Sequence, residues 1–229
     1  MAMKPSFRLR ILIFWGSRFF FIFAVVLAAT SARGAEDESW PVSILKFTGG
    51  LASSALIHEG SHALVAWATG TELTWEAGTY NQPIGFTDHA GSNAKGVAVY
   101  SSGLISQAIG GEVILRADRI DKNDNFVRGM MSWDVVNPIL YSLDYWFFHR
   151  SNKKNGNSYQ GDLQGIEHYS NQTTANVFAA SISAVALFQG YRFLKTQDWA
   201  PEWLKGDSHR LSFTPLYSRG LVMTYRFRF

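Results

Sequence analysis

Apolar residues in this chain gather into long runs separated by short polar stretches. Four of these runs, 44–69, 96–116, 126–148 and 173–194, predict helices by their length and composition. Their interiors are interrupted by small and polar residues: Ser53, Ser54, Ser101, Ser106, Gln107, Gly110, Gly111, Asn137, Ser181 and Ser183. Such residues suit close helix packing and polar cavities better than direct lipid contact. Between the first two helices, Leu73-Thr74-Trp75 and Ile84-Gly85-Phe86 flank a turn rich in Gly, Asn and Pro, which predicts a β-hairpin over 72–89. Segments 118–125 and 149–161 are polar loops.

The end of the chain changes period. Leu221, Met223, Tyr225, Phe227 and Phe229 alternate with Val222, Thr224, Arg226 and Arg228, the pattern of a strand with one greasy face. Segment 208–217, with Leu211, Phe213 and Pro215 alternating, is its expected hairpin partner. The expected fold is therefore mainly α: a bundle of about four apolar helices with a small β-hairpin after the first and a C-terminal β-hairpin or strand. One domain over 36–229, with a β tail over 208–229, suits a chain of 229 residues.

The first 35 residues read as a targeting segment. Lys4, Arg8, Arg10 and Arg18 precede an apolar run over 19–29, small residues follow to Ala35, and Glu36-Asp37-Glu38 comes next. This is the layout of a secretory signal peptide, with cleavage after Gly34 leaving Ala32 three positions back from the bond. An uncleaved anchor helix over 11–29 is the alternative.

Composition narrows the class. Charged residues make up 17% of the chain, against about 25% in ordinary soluble domains, while the mean hydropathy of −0.04 is low for a bundle wholly in lipid. A partly membrane-facing protein follows, with membrane lipid as a partner. The net charge of +3 comes from dispersed basic residues, so nucleic acid is not an expected partner. The chain has no cysteine, which excludes disulfides, thiolate metal sites and cysteine nucleophiles.

What remains for chemistry is His58-Glu59-Gly60-Ser61-His62, inside the first apolar helix. Residues four apart share a helix face, so His58 and His62 can offer two imidazoles to one ion while Glu59 reaches a water beside it. Zinc lowers the pKa of such a water to about 7, and the carboxylate serves as its base. Two histidines and a glutamate in so apolar a helix are costly unless something satisfies them. A hydrogen-bonded polar patch is the bland reading. A catalytic zinc takes a third protein ligand, and the candidates are His89, His149, His168, His209 and the carboxylates. Two carboxylates stand out: Asp162, at the predicted start of a helix after the 149–161 loop, and Asp144, within the apolar run 126–148.

These residues resemble the site-2 protease family of membrane-embedded zinc metalloproteases, in particular its small bacterial members. The resemblance spans 45–170 and rests on the motif His58-Glu59-Gly60-Ser61-His62-Ala63-Leu64, Gly70, the hairpin with Gly85-Phe86-Thr87, and a following helix. That helix carries Ser102-Gly103-Leu104 and Gly110-Gly111 where the family has a small-residue turn. It implies Zn2+ bound by His58 and His62, Glu59 as catalytic base, and a downstream aspartate as third ligand. Asn137-Pro138 with Leu143-Asp144 matches the family's Leu-Asp-Gly segment except that Tyr145 stands in place of Gly. Asp162 fits the small relatives, which place the aspartate after a loop, and is the preferred third ligand.

The function expected is zinc-dependent hydrolysis of a peptide bond in a protein or peptide substrate. A lipid amide or peptidoglycan peptide is a substrate of the same chemistry. A non-catalytic envelope scaffold, with a structural metal or polar site, is the reading from another class. An ordinary edge strand of a small sheet accounts for the alternating tail equally well; the tail also resembles the C-terminal signal of bacterial outer-membrane proteins. It implies an exported envelope protein at the outer membrane, with integral inner-membrane residence the alternative.

Overall fold

Helix boundaries in this protein are set by capping residues at the edges of the apolar runs. The computed structural model describes residues 38–75, 84–86, 91–149, 161–205, 211–216 and 220–225. The proposed signal segment over 1–35 lies outside them. Helix α1 spans Trp40–Thr69, with Pro41 in its first turn, where the missing N–H costs nothing. It ends at Gly70 in the left-handed region (φ 64°). The N–H of Gly70 reaches Trp67 O and that of Thr71 reaches Ala66 O, a Schellman closure of the last turn.

Helix α2 spans Asn93–Arg116, with Ser92 Oγ accepting from Lys95 N. Helix α3 spans Asn125–Leu143, with Asp124 accepting from the N–H groups of Phe126 and Val127. The chain continues from α3 as π-helical turns over Asp144–His149. Helix α4 is short, Asp162–Tyr169, and α5 spans Gln172–Leu194, capped by Asn171 Oδ1 on Thr174 N. A last turn, α6, covers Glu202–Lys205. The described chain is mainly helical, as the apolar runs predict.

Two antiparallel strand pairs complete the described residues. Strand β1, Leu73–Trp75, pairs with β2, Ile84–Phe86, with Thr74 opposite Gly85. Strand β3, Leu211–Leu216, pairs with β4, Gly220–Tyr225, with Phe213 opposite Met223.

In the bundle, α1 packs against both α2 and α3, α5 covers α2 and α3, and α4 lies on α2 and α5. The α1–α3 crossing brings backbone onto backbone. A Cβ on Gly50 would fall 2.0 Å from Phe126 O, and one on Gly129 would fall 2.0 Å from Phe47 O. Such small-residue crossings let helices approach where lipid supplies no hydrophobic drive between them.

Large apolar side chains lie on the outside of the bundle as well as within it, and polar side chains are buried among the apolar ones. Trp67, Leu56 and Phe188 are 80%, 72% and 60% exposed, whereas Ser54, His58, His62, Gln107, Asp134 and Asn137 are buried. Apolar clusters do fill two parts of the interior, around Tyr100, Leu104, Leu163 and Ala179, and around Ile114, Met131 and Phe193. Helices α2 and α5 are long and apolar enough to cross a membrane, by length and composition. At the end of the bundle where α1 and α3 begin, Lys46 bridges Glu38 and Asp124, and Arg128 donates to Gln197 Oε1. Its hydrogen bonds to Lys46 and Asn125 hold the Glu38 carboxyl below the usual carboxylate range.

Candidate metal centre

The two histidines of α1 occupy one face because they are four residues apart, and that face is turned into the bundle against α2. Their Nε2 atoms lie 3.2 Å apart. Helix α4 brings Asp162 to the same point: Oδ2 is 3.2 Å from His58 Nε2 and Oδ1 is 3.3 Å from His62 Nε2. His58, His62 and Asp162 are all buried, and together they form a triad able to hold a metal ion. Asp144, in the π-helical turns, is not part of this cluster, nor is exposed His168 on α4. His89 and His209, and the side chain of His149, lie outside the described residues.

Asp162 reaches the histidines because α4 is locked antiparallel onto α2. The Tyr100 ring fills the space over Gly165, and the Tyr169 ring fills the space over Gly96; the two rings stack at 5.9 Å. Continuing that register by one turn sets Asp162 opposite Gly103. A Cβ on Gly103 would fall 2.5 Å from His62 Nε2 and 2.7 Å from His58 Nε2. The absence of a side chain at Gly103 lets both imidazoles pack directly against the α2 backbone.

Three observations test the fit of a metal there. First, the two Nε2 atoms are 3.2 Å apart, near the about 3.3 Å expected between two donors on a tetrahedral zinc, and a different oxygen of Asp162 lies close to each, Oδ2 at 3.2 Å from His58 and Oδ1 at 3.3 Å from His62. Second, His62 Nδ1 lies 2.7 Å from Val99 O. A carbonyl only accepts, so Nδ1 carries a hydrogen, and the neutral form of the ring has its Nε2 lone pair facing the carboxylate and His58. Third, Asp162 Oδ2 is buried with no hydrogen-bond partner despite its closeness to His58. A buried carboxylate oxygen without a hydrogen-bond partner is a group that a cation would satisfy.

The electrostatics agree in direction. Burial alone would raise the Asp162 carboxyl, but the charges of His62 and His58 outweigh it and hold the group well below the ordinary carboxylate value. In the metal-free site that charge is carried by protonated imidazole, which a bound cation would replace. Glu59 is half-buried beside the triad and interacts electrostatically with all three members.

The surroundings contain residues that the motif does not name. Gln107 Oε1 lies 3.1 Å from His58 Nδ1 and also accepts from Asn137 Nδ2 at 3.0 Å. Ser102 Oγ donates to Val99 O and sits 3.2 Å from His62 Nδ1. The Tyr141 ring lies 5.9 Å from that of His58. On the other side of His58, Ser54 Oγ donates to buried Asp134. Ser102-Gly103-Leu104, which the resemblance equates with a turn, is unbroken helix here. The sequence did hold one signal for this face: Gly96, Gly103 and Gly110 recur every seventh residue, and each meets a neighbouring helix, at Tyr169, at the two histidines and at Asp134.

Comparison with protein-family models, with curated proteins and with solved structures returned no match. The functional reading therefore stands on the geometry.

Proposed function

We propose that this chain is a membrane-embedded, zinc-dependent hydrolase of the cell envelope that cleaves peptide bonds. The observation that carries the reading is the gathering of buried His58, His62 and Asp162, each offering a ligand atom within 4.8 Å of the others. Two histidines and one carboxylate are a catalytic rather than a closed structural donor set, since a position remains for water. Zinc held there would lower the pKa of that water to about 7 and polarise the scissile carbonyl.

The protein's own residues supply the rest. Glu59 takes a proton as the water oxygen adds to the carbonyl carbon, and returns it to the amine nitrogen as the C–N bond breaks. Val99 O holds the His62 ring in its donor orientation. The β1–β2 pair joins the ends of α1 and α2 nearer the triad, about 10 Å from His62 along α1. In this reading its open edge takes an extended substrate as an added strand.

Membrane residence is supported by the exposed Trp67, Leu56 and Phe188 set against a polar interior, and by the lengths of α2 and α5. The greasy alternation of the tail supports the outer membrane, and recovery solely from the inner membrane would remove that part of the reading. The function itself is tested by purifying the protein in detergent and measuring bound zinc and peptide turnover. One zinc per chain and loss of turnover in Glu59→Gln with zinc retained are expected. A wild-type protein that binds no metal would overturn the proposal.

A further inference from the structure

His58 differs from His62 in what stands behind it. The nearer partner of His62 Nδ1, at 2.7 Å, is the main-chain carbonyl of Val99, which can only accept, and Ser102 Oγ at 3.2 Å itself donates to that carbonyl. The partner of His58 Nδ1 is the amide of Gln107, which can accept through oxygen or donate through nitrogen. Which end faces the ring decides whether His58 is a ligand at all. An oxygen there leaves the hydrogen on Nδ1 and the lone pair on Nε2; a nitrogen there would place the hydrogen on Nε2, pointing at Asp162 and His62, and close the site.

Gln107 is 1% exposed, so water cannot correct a wrong choice. Its orientation is set by α3. Asn137 Nδ2 donates to Gln107 Oε1 at 3.0 Å, and the same oxygen lies 3.1 Å from His58 Nδ1. Two donors on one carbonyl oxygen use both its lone pairs. The cost is visible on the other side of the amide, where Gln107 Nε2 is buried with no hydrogen-bond partner. A buried, unpaired N–H costs about 1–3 kcal/mol.

We infer that Asn137 and Gln107 form a positioning relay that holds His58 in its Nδ1-protonated, metal-binding tautomer. The inference rests on the metal-centre reading above and goes beyond it by assigning roles to two residues outside the motif. Through this relay, α3 takes part in metal binding without supplying a ligand. Neither residue touches substrate; both act through His58.

Two readouts, neither of which is turnover, test the relay. In the first, zinc affinity is measured by competition for the wild type, Gln107→Met, Asn137→Leu, the double variant and Gln107→Glu. Gln107→Met and Asn137→Leu each weaken zinc about 10–100-fold, as removal of a ligand's hydrogen-bond partner does. The double variant is no weaker than Gln107→Met, because Asn137 acts only through Gln107. Gln107→Glu, whose carboxylate can only accept, binds within a few-fold of the wild type or more tightly. Unchanged affinity in Gln107→Met, or a Gln107→Glu variant as weak as Gln107→Met, overturns the relay.

The second readout is the His58 tautomer in metal-free protein, from long-range 1H–15N spectra of 15N-histidine-labelled protein in alkaline buffer. The wild type shows hydrogen on Nδ1, and Gln107→Met shows a mixture. Hydrogen on Nε2 in the wild type overturns the relay. A wild type that binds no zinc but holds the Nδ1 tautomer refutes the hydrolase and leaves the relay standing.

Discussion

Tyr100 and Gly165 meet face to backbone where α4 lies on α2: a Cβ on Gly165 would fall 2.3 Å from the ring. Tyr169 repeats the contact in reverse at Gly96, so the segment carrying Asp162 is keyed to α2 at two points. Gly165→Ala is expected to destabilise the protein by about 1–3 kcal/mol through overpacking. It also moves Asp162 off the histidines, so zinc affinity falls with stability. Thermal unfolding with and without zinc checks both; an unaltered affinity would show that the contact does not place the ligand.

Two glycines near the motif should behave oppositely. Gly103→Ala puts a methyl group where the Nε2 atoms converge, and zinc affinity drops by more than about a hundredfold while the helix content is kept. Gly60 has nothing within 4 Å of its would-be Cβ, so Gly60→Ala binds zinc normally and gains about 0.5–1 kcal/mol from better helix propensity. Isothermal titration and circular dichroism of the pair give the comparison. Equal zinc binding by the two would contradict the placement of the site.

Asp162→Ala should abolish stoichiometric zinc, whereas Asp144→Ala should retain it. The structure gathers Asp162 but not Asp144 with the histidines. Elemental analysis of the two purified variants decides the matter, and retention of zinc by Asp162→Ala would return the third ligand to open question.

Acid should strip the metal by protonating imidazole, not carboxylate. The folded-state pKa of Asp162 is depressed, so its contribution is fully present above the unfolded aspartate value of about 3.9 and is lost only as pH falls through the lower folded value. The histidines must be neutral to ligate, so zinc release begins at milder acidity. A pH titration with a zinc-sensitive dye should show release complete while Asp162 is still ionised. Release confined to pH below about 3.9 would mean that the carboxylate governs binding.

The helical frame was legible in the sequence to within a few residues, and for a physical reason. Apolar runs end where helices end, so Thr69, Arg116 and Leu194 are helix ends both in the pattern and in the structure. The starts lie one to four residues earlier than the pattern suggests: Asn93 and Gln172 are polar and read as loop, and Pro41 in the first turn of α1 reads as a breaker. The run over 126–148 gave no warning that regular α-helix stops at Leu143, since a change to wider turns after Asp144 leaves the apolar pattern intact.

At the site, His58 and His62 were readable because their relation is local, a matter of helix pitch. Asp162 was readable only as one of two candidates, because its approach depends on Tyr100 and Tyr169 docking α4, a contact between distant segments. Gln107 was noticed as polar but not as a partner of His58, because the face of α2 that meets α1 is fixed by packing. The glycine at every seventh position of α2 marked that face.

One hundred residues separate His62 from Asp162 in the chain. A ribosome therefore completes the helix bearing both histidines long before it makes the aspartate that closes the triad. Until α4 has been synthesised and keyed onto α2, the growing protein carries two of the three members of the triad, and the cluster is completed only after α1, α2 and α3 exist to receive the aspartate.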